Sequence, residues 1–183
     1  MFIPSYHLFS LAIIFLLILE ILSLYICQKR RSRKYKYSLI ILFLFAFLIR
    51  LVPVMFFPFG SGYDLDSFKW AGELIINRQD IYWGLGVRHH YAFLPTYGLL
   101  TSLVLNITNI TAIPFLILTK LPIIFFDSLI AMLIFIIIKN FRAFLVYAFS
   151  PIPVILCAYF GQFDAIPLFF ALFGLYLMTQ KRP

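Results

Sequence analysis

Two acidic side chains one residue apart are the first candidates for chemistry, in the segment Tyr63-Asp64-Leu65-Asp66. A carboxylate can take a proton from a reacting hydroxyl group, so Asp64 and Asp66 are candidate catalytic residues. Apolar runs of membrane length lie on both sides, and charged groups in that setting face water or protein and are candidates for function. A structural alternative stays open, because Asp66 or Ser67 stands where an N-cap of the following helix is expected.

Two further polar segments interrupt the apolar sequence. The segment Arg88-His89-His90 brings cationic or titratable groups close to aromatic residues, a pattern that is also typical of anchoring at a membrane interface. Gln162 and Asp164 lie in the second segment, between two later apolar runs, where they could contact a polar ligand. Asp164 could equally cap the helix that follows it.

Composition indicates the class of protein that must position these groups. The 183 residues are 63% hydrophobic and 12% charged, with a mean hydropathy of +1.00, well above the roughly 45–50% apolar content of soluble domains. The net charge of +8 does not indicate nucleic-acid binding, since basic residues concentrate at 29–36, 139–142 and 181–182, between or after apolar runs. We therefore predict an all-α, polytopic integral membrane protein.

The basic clusters predict the topology of the chain. Tyr6 to Cys27 is long enough for a first transmembrane helix, and its basic cluster follows it, which places the N-terminus outside. A second span is predicted from Tyr37 to Phe59. Further spans are predicted at about 112–138, 143–160 and 165–178, which makes five spans and keeps every basic cluster in the cytoplasm.

The segment from Gly60 to Thr111 is predicted to form an outer-face loop. Residues 67–80 have helical apolar spacing and predict a surface helix. Residues 92–107 are apolar but short for a span, and counting them as one would place the later basic clusters outside, so a re-entrant helix is predicted. This arrangement puts Gln162 and Asp164 on the same face as Asp64 and Asp66.

Three charged residues fall within the predicted spans that follow the first one, namely Arg50, Lys120 and Asp127. Arg50 could extend to the outer headgroups, contact a phosphate or pair with a buried acid. Lys120 and Asp127 are seven residues apart and too distant for direct contact, but either could pair with Arg50 across helices. The two cysteines, Cys27 and Cys157, are predicted near opposite faces of the bilayer and unable to form a disulfide.

Six short motifs follow one another along the chain from about Phe45 to the end. They are Leu48-Ile49-Arg50, Tyr63 to Phe68 with Tyr82, Leu94-Pro95-Thr96-Tyr97, Lys120-Leu121-Pro122 with Asp127, Ser150-Pro151, and Gly161 to Pro167. In this order, the motifs resemble those of the GT-C glycosyltransferases, in particular the dolichol-phosphate-mannose-dependent mannosyltransferases, and the GPI-anchor mannosyltransferases are close in pattern. The resemblance implies a GT-C-like N-terminal membrane module at 37–183, with its first outer loop at about 60–111. The transmembrane helix and basic linker predicted at 1–36 are an extra element that is unusual in this family.

The resemblance also implies a reaction. A hexose, with mannose expected, would pass from a polyprenyl-phosphate sugar to an extracytoplasmic acceptor with inversion, at the cell membrane or the endoplasmic reticulum membrane. Asp64 would be the base, and Asp66 would orient the acceptor or assist. The expected contacts to the donor phosphate are Arg50, Arg88, His89, His90 and Lys120, and those to sugar hydroxyls are Gln162 and Asp164.

Cofactors and partners follow from the same expectations. A divalent metal at Asp64 and Asp66 is an alternative, but hard cations normally recruit more than two oxygens, so no cofactor is expected to be obligatory. GT-C enzymes usually have seven or more spans, so this chain is expected to be a fragment, a split gene product or half of a complex whose fold a downstream membrane partner completes. The rival interpretation is a non-catalytic membrane subunit or a transporter fragment.

Overall fold

The computed structural model describes residues 39–57, 62–82 and 95–180. The predicted first span, the basic linker after it and the segment Arg88-His89-His90 lie outside the described residues. The part that is described is all-helical. Its helices are α1 (Leu39–Phe56), α2 (Gly62–Ile76), α3 (Pro95–Thr111), α4 (Phe115–Ile138), α5 (Phe141–Phe149), α6 (Pro151–Tyr159) and α7 (Ala165–Gln180).

Helix α4 forms the axis of the bundle. It packs against α1, α3, α5, α6 and α7, and its buried residues include Ile123 and Ile130. These two pack with Cys157 of α6 and Ala165 of α7 in one apolar cluster. A helix that is apolar on every side can bury surface against several neighbours at once, which explains its central place.

The helices α1 and α4 are long and apolar enough to cross a membrane, and their bounds lie close to the predicted spans. The pair α5 and α6 would add a third span if it is counted as one bent segment, while α7 has only 16 residues. Among the described residues there are thus two or three candidate spans. The prediction of five spans is not confirmed.

The prediction of one continuous helical span at 143–160 is wrong, because the helix is interrupted at Ser150. Ser150 has ψ 126°, which is not helical, and α5 and α6 are bent by 43° at this point. The residue before a proline is pushed out of the helical region, and Pro151 follows Ser150 directly. Beyond the break, α6 begins with one helical turn and continues as a π-helix from Val154 to Tyr159.

Helices α2 and α3 pack against each other beside the bundle. The predicted surface helix at 67–80 begins earlier, at Gly62, and ends at Ile76, and the predicted re-entrant segment at 92–107 is the 17-residue helix α3. The predicted apolar face of α2 is confirmed, since Phe68 and Ala71 are buried against Tyr97 of α3. That α3 is a re-entrant helix in a bilayer stays a prediction.

A glycine sets the separation of α2 and α3. A Cβ atom added to Gly72 would lie 2.9 Å from Leu105 Cδ1 and 3.0 Å from the backbone nitrogen of Ser102. Backbone atoms cannot yield as a flexible side chain can. The two helices therefore approach as closely as they do because this position carries no side chain.

We expect Gly72→Ala to lower the free energy of unfolding by about 1–3 kcal/mol, the usual cost of overpacking. Thermal unfolding of the purified protein in detergent measures the loss. Gly174→Ala is the matched control, because an added Cβ meets nothing within 4 Å there, and alanine favours a helix over glycine. Equal melting temperatures for the two variants would contradict the close approach of α2 and α3.

Candidate functional site

The candidate site surrounds the turn between α6 and α7. The π-helical end of α6 closes with hydrogen bonds from the backbone N–H of Phe160 to the Ile155 carbonyl and from that of Gln162 to the Leu156 carbonyl, both 2.9 Å. Gly161 then takes φ +72°, the left-handed region that glycine enters without strain. Gln162 follows Gly161 directly in this turn and is half-buried.

Asp64 meets this turn across 98 residues of sequence. The side-chain amide of Gln162 donates a hydrogen bond of 2.6 Å from Nε2 to Asp64 Oδ2. Asp64 lies in the first turn of α2, where the positive end of the helix dipole favours a carboxylate. The structure therefore joins the candidate base with one of the candidate sugar-binding residues.

Lys120 approaches the same turn from α4. Its side chain has no exposed surface, and its Nζ donates a 2.6 Å hydrogen bond to the Tyr159 carbonyl. A Cβ atom at Gly161 would lie 3.4 Å from Lys120 Cε and 3.1 Å from Leu65 Cδ2. Gly161 is thus enclosed between the lysine stem and α2, and no larger residue fits there without displacing one of them.

An aromatic cluster packs against the turn. The ring of Phe163 stacks on Tyr97 of α3 with 4.4 Å between centroids, and Phe68 of α2 packs edge-on against both rings. Such pairs contribute about 0.5–1.5 kcal/mol each beyond their buried area. The cluster fixes α2, α3 and the turn relative to one another.

Arg50 has a different environment. It is completely buried and forms an ion pair with Asp127 of α4, whose other carboxylate oxygen accepts a 2.5 Å hydrogen bond from the Tyr147 hydroxyl. Arg50 Nη1 also donates to the carbonyls of Ala46 and, at the break after α5, Ala148. Of the alternatives for Arg50, pairing with Asp127 is confirmed, and the alternative in which Arg50 extends to the outer headgroups is wrong, because its side chain is completely buried.

Asp66 and Asp64 lie on opposite sides of α2. Residues two apart on an α-helix lie about 200° apart around its axis and do not face each other. Asp66 is exposed, whereas Asp64 turns toward Gln162. The two carboxylates therefore do not fit a shared divalent cation. Within the described ranges, no group of three or more His, Cys, Asp or Glu residues is placed to hold a metal ion.

The predicted N-cap at Asp66 or Ser67 is wrong, because α2 already begins at Gly62. Ser67 is buried instead, and its hydroxyl donates to the Asp64 carbonyl at 2.8 Å. Asp164, the remaining described candidate, is exposed and directly precedes α7, where its carbonyl accepts from the Leu168 N–H at 3.1 Å. Among the described residues, no hydrogen bond joins Asp164 to Asp64. The structure therefore does not bring Asp164 into the site just described.

We expect Asp66→Ala to leave the free energy of unfolding within about 0.5 kcal/mol of the original, as for other exposed positions without a special contact. An N-cap aspartate replaced by alanine would instead cost about 1 kcal/mol. Chemical denaturation in detergent measures the difference, with Asn140→Ala as a positive control. The Asn140 side chain does cap α5, since its oxygen accepts from the Arg142 N–H at 2.9 Å.

Several residues of these two sites carry no signal in the sequence. Tyr159 contributes its backbone carbonyl, and any residue could do so. Tyr147 resembles the other aromatic residues of its segment, although its hydroxyl completes the Arg50 and Asp127 pair. Gly161 is the exception, because a glycine directly after an apolar run signals a turn.

Comparison with known proteins assigns no family. The chain matches no protein-family model, no curated protein and no solved structure. The function has to be inferred from the residues and their geometry.

Proposed function

We propose that this chain is the N-terminal membrane module of a GT-C type glycosyltransferase. It would transfer a hexose, with mannose as the expected sugar, from a polyprenyl-phosphate donor to an extracytoplasmic acceptor. The proposal extends to five spans, with α2 and α3 in an outer-face loop, and to an active face outside the cytoplasm. Two or three apolar helices of spanning length support the membrane setting.

The observation that carries the proposal is the hydrogen bond between Gln162 and Asp64. Two polar residues that the sequence singled out separately are brought together by α2 and the turn before α7. A carboxylate whose orientation is fixed by an amide donor is suited to act as a base, because proton transfer requires a defined geometry. Lys120 packs against the same turn and adds a buried cation.

The proposed reaction is an inverting substitution at the anomeric carbon. Asp64 takes the proton of the acceptor hydroxyl as its oxygen forms a bond to the anomeric carbon. The bond from that carbon to the phosphate oxygen breaks, and polyprenyl phosphate leaves with the electron pair. Positive groups near the leaving phosphate stabilise its charge.

Arg88, His89 and His90 are proposed as phosphate contacts, arginine by a bidentate geometry and histidine when protonated. They lie outside the described residues, so the proposal rests on their place in the sequence between α2 and α3. Asp164 is proposed as a contact to sugar hydroxyls. Asp66 faces away from Asp64, so it is proposed to orient the acceptor through a part of that molecule distant from the reacting hydroxyl.

One observation favours a second candidate, a non-catalytic membrane subunit or transporter fragment. The buried pair of Arg50 and Asp127 joins α1 to α4, and such pairs hold helices together whatever the protein does. That alternative gives no role to the hydrogen bond between Gln162 and Asp64. The enzyme therefore accounts for more of the geometry.

The test is sugar transfer in membranes that contain the full chain. Membranes are incubated with polyprenyl-phosphate mannose carrying a radiolabel, and label in the endogenous acceptors is counted. We expect transfer above that of membranes without the chain, and loss of the excess when Asp64 is replaced by asparagine. Excess transfer that survives this replacement would remove Asp64 as the base. Absence of excess transfer with the original chain would leave the non-catalytic alternative.

A further inference from the structure

The side chain of Lys120 crosses from α4 to the end of α6 and ends on a backbone carbonyl. Its Nζ lies 2.6 Å from the Tyr159 oxygen, and the residue has no exposed surface. The resemblance described above implies that this ammonium group contacts the donor phosphate. Complete burial and a short bond to the backbone indicate a different use.

The Tyr159 carbonyl lies at the C-terminal end of α6. The last carbonyls of a helix have no following N–H groups to accept from. Here the chain leaves the π-helix at Phe160, whose N–H goes back to Ile155, and Gln162 bonds to Leu156. A cation at a helix C-terminus also interacts favourably with the helix dipole. Lys120 therefore caps α6 from a neighbouring helix.

Tyr159, whose carbonyl accepts the hydrogen bond from Lys120, is two residues before Gly161 and three before Gln162. A Cβ atom added to Gly161 would contact both the lysine stem and Leu65, so these two side chains limit where the turn can lie. Gln162 then reaches Asp64 with its amide. The path from Lys120 to Asp64 is a continuous series of contacts through three elements.

From this geometry we infer that Lys120 is a positioning residue, which holds the turn so that Gln162 orients Asp64 toward the acceptor. This inference rests on the proposed function. It differs from a donor contact in what it predicts for kinetics, because misplacing a base lowers turnover whereas losing a phosphate contact weakens donor binding.

The kinetic test uses Lys120→Met, which keeps the length and packing of the stem and removes the ammonium. We expect kcat for transfer from polyprenyl-phosphate mannose to fall by about 10²-fold with little change in the donor KM. Gln162→Leu should have a similar effect. The kcat of the double variant should be no lower than that of the less active single variant, because both changes interrupt one series of contacts. Lys69→Met is the control, since Lys69 is exposed and pairs with Glu73 at 3.8 Å.

Two kinetic results would overturn the inference. A rise in donor KM with kcat unchanged in Lys120→Met would make the lysine a phosphate contact. Effects of Lys120→Met and Gln162→Leu that multiply in the double variant would show that the two side chains act independently.

A second measurement does not depend on activity. Cys157 is a free, buried thiol within α6, two residues before Tyr159, and after Cys27→Ser it reports on this helix end. Labelling by N-ethylmaleimide, which is small and crosses membranes, should be about 10-fold faster in Lys120→Met, because the uncapped end opens locally more often. Gly161→Ala, which strains the same turn, should also accelerate it.

The labelling result separates this inference from the proposed function. If membranes with the original chain transfer no sugar, the proposed function fails, and faster labelling in Lys120→Met still shows that the lysine holds the turn. Labelling that is unchanged in Lys120→Met, with Lys69→Met alongside, overturns the inference even where sugar transfer is observed.

Discussion

Replacement of Asp64 by asparagine should reduce sugar transfer by about 10²–10⁴-fold, the range that a general base contributes. Asparagine is nearly isosteric with aspartate but cannot accept a proton at neutral pH. Its carbonyl oxygen can still accept the hydrogen bond from Gln162 Nε2, so the turn before α7 should keep its geometry. The measurement is initial rate against donor concentration in membranes, with expression checked by immunoblot.

Asp80→Asn is the matched control for this experiment. Asp80 is exposed after the end of α2, and its Oδ1 accepts a 2.8 Å hydrogen bond from the Tyr82 N–H, which asparagine can also accept. We expect an unchanged rate. A loss in Asp64→Asn that appears wholly in the donor KM would argue for a binding role instead of proton transfer.

The second large effect should come from Asp127. Replacing it with asparagine leaves the guanidinium of Arg50 buried without a counter-charge, and breaking a buried pair in this way costs about 3–5 kcal/mol. The Tyr147 hydroxyl can still donate to the asparagine oxygen, so the loss should come mainly from the arginine. The yield of monodisperse protein in mild detergent and its thermal midpoint measure the effect.

The double variant identifies the partner. Arg50→Gln in the Asp127→Asn background should recover part of the yield, because a neutral pair costs less to bury than one unpaired charge. Lys120→Gln in the same background should recover nothing, since Lys120 is bonded to the Tyr159 carbonyl. Equal recovery by both changes would contradict the pairing seen between α1 and α4.

The sequence predicted the parts of the fold that depend on local properties. The bounds of α1 and α4 follow from the length of the apolar runs, and the helical face of α2 follows from the spacing of Phe68 and Ala71. The pair of Arg50 and Asp127 was among the predicted alternatives, because two opposite charges within apolar spans have few other partners.

Other parts of the structure differ from the predictions or have no local signal. The start of α2 was misplaced because Asp66 and Ser67 have the composition of an N-cap, although the helix already begins at Gly62. The break at Ser150 does not follow from the length of the apolar run, and only the proline after Ser150 signals it. The contact of Gln162 with Asp64 spans 98 residues and leaves no local pattern.

Two cations from neighbouring helices bind main-chain oxygens near the two ends of α6, Arg50 at Ala148 and Lys120 at Tyr159. A carbonyl group is common to all amino acids, so these contacts constrain only one partner of each pair. Among related sequences, positions 50 and 120 should therefore stay basic while position 159 varies. Coevolution between the members of either pair would be weak, although the atoms are in contact.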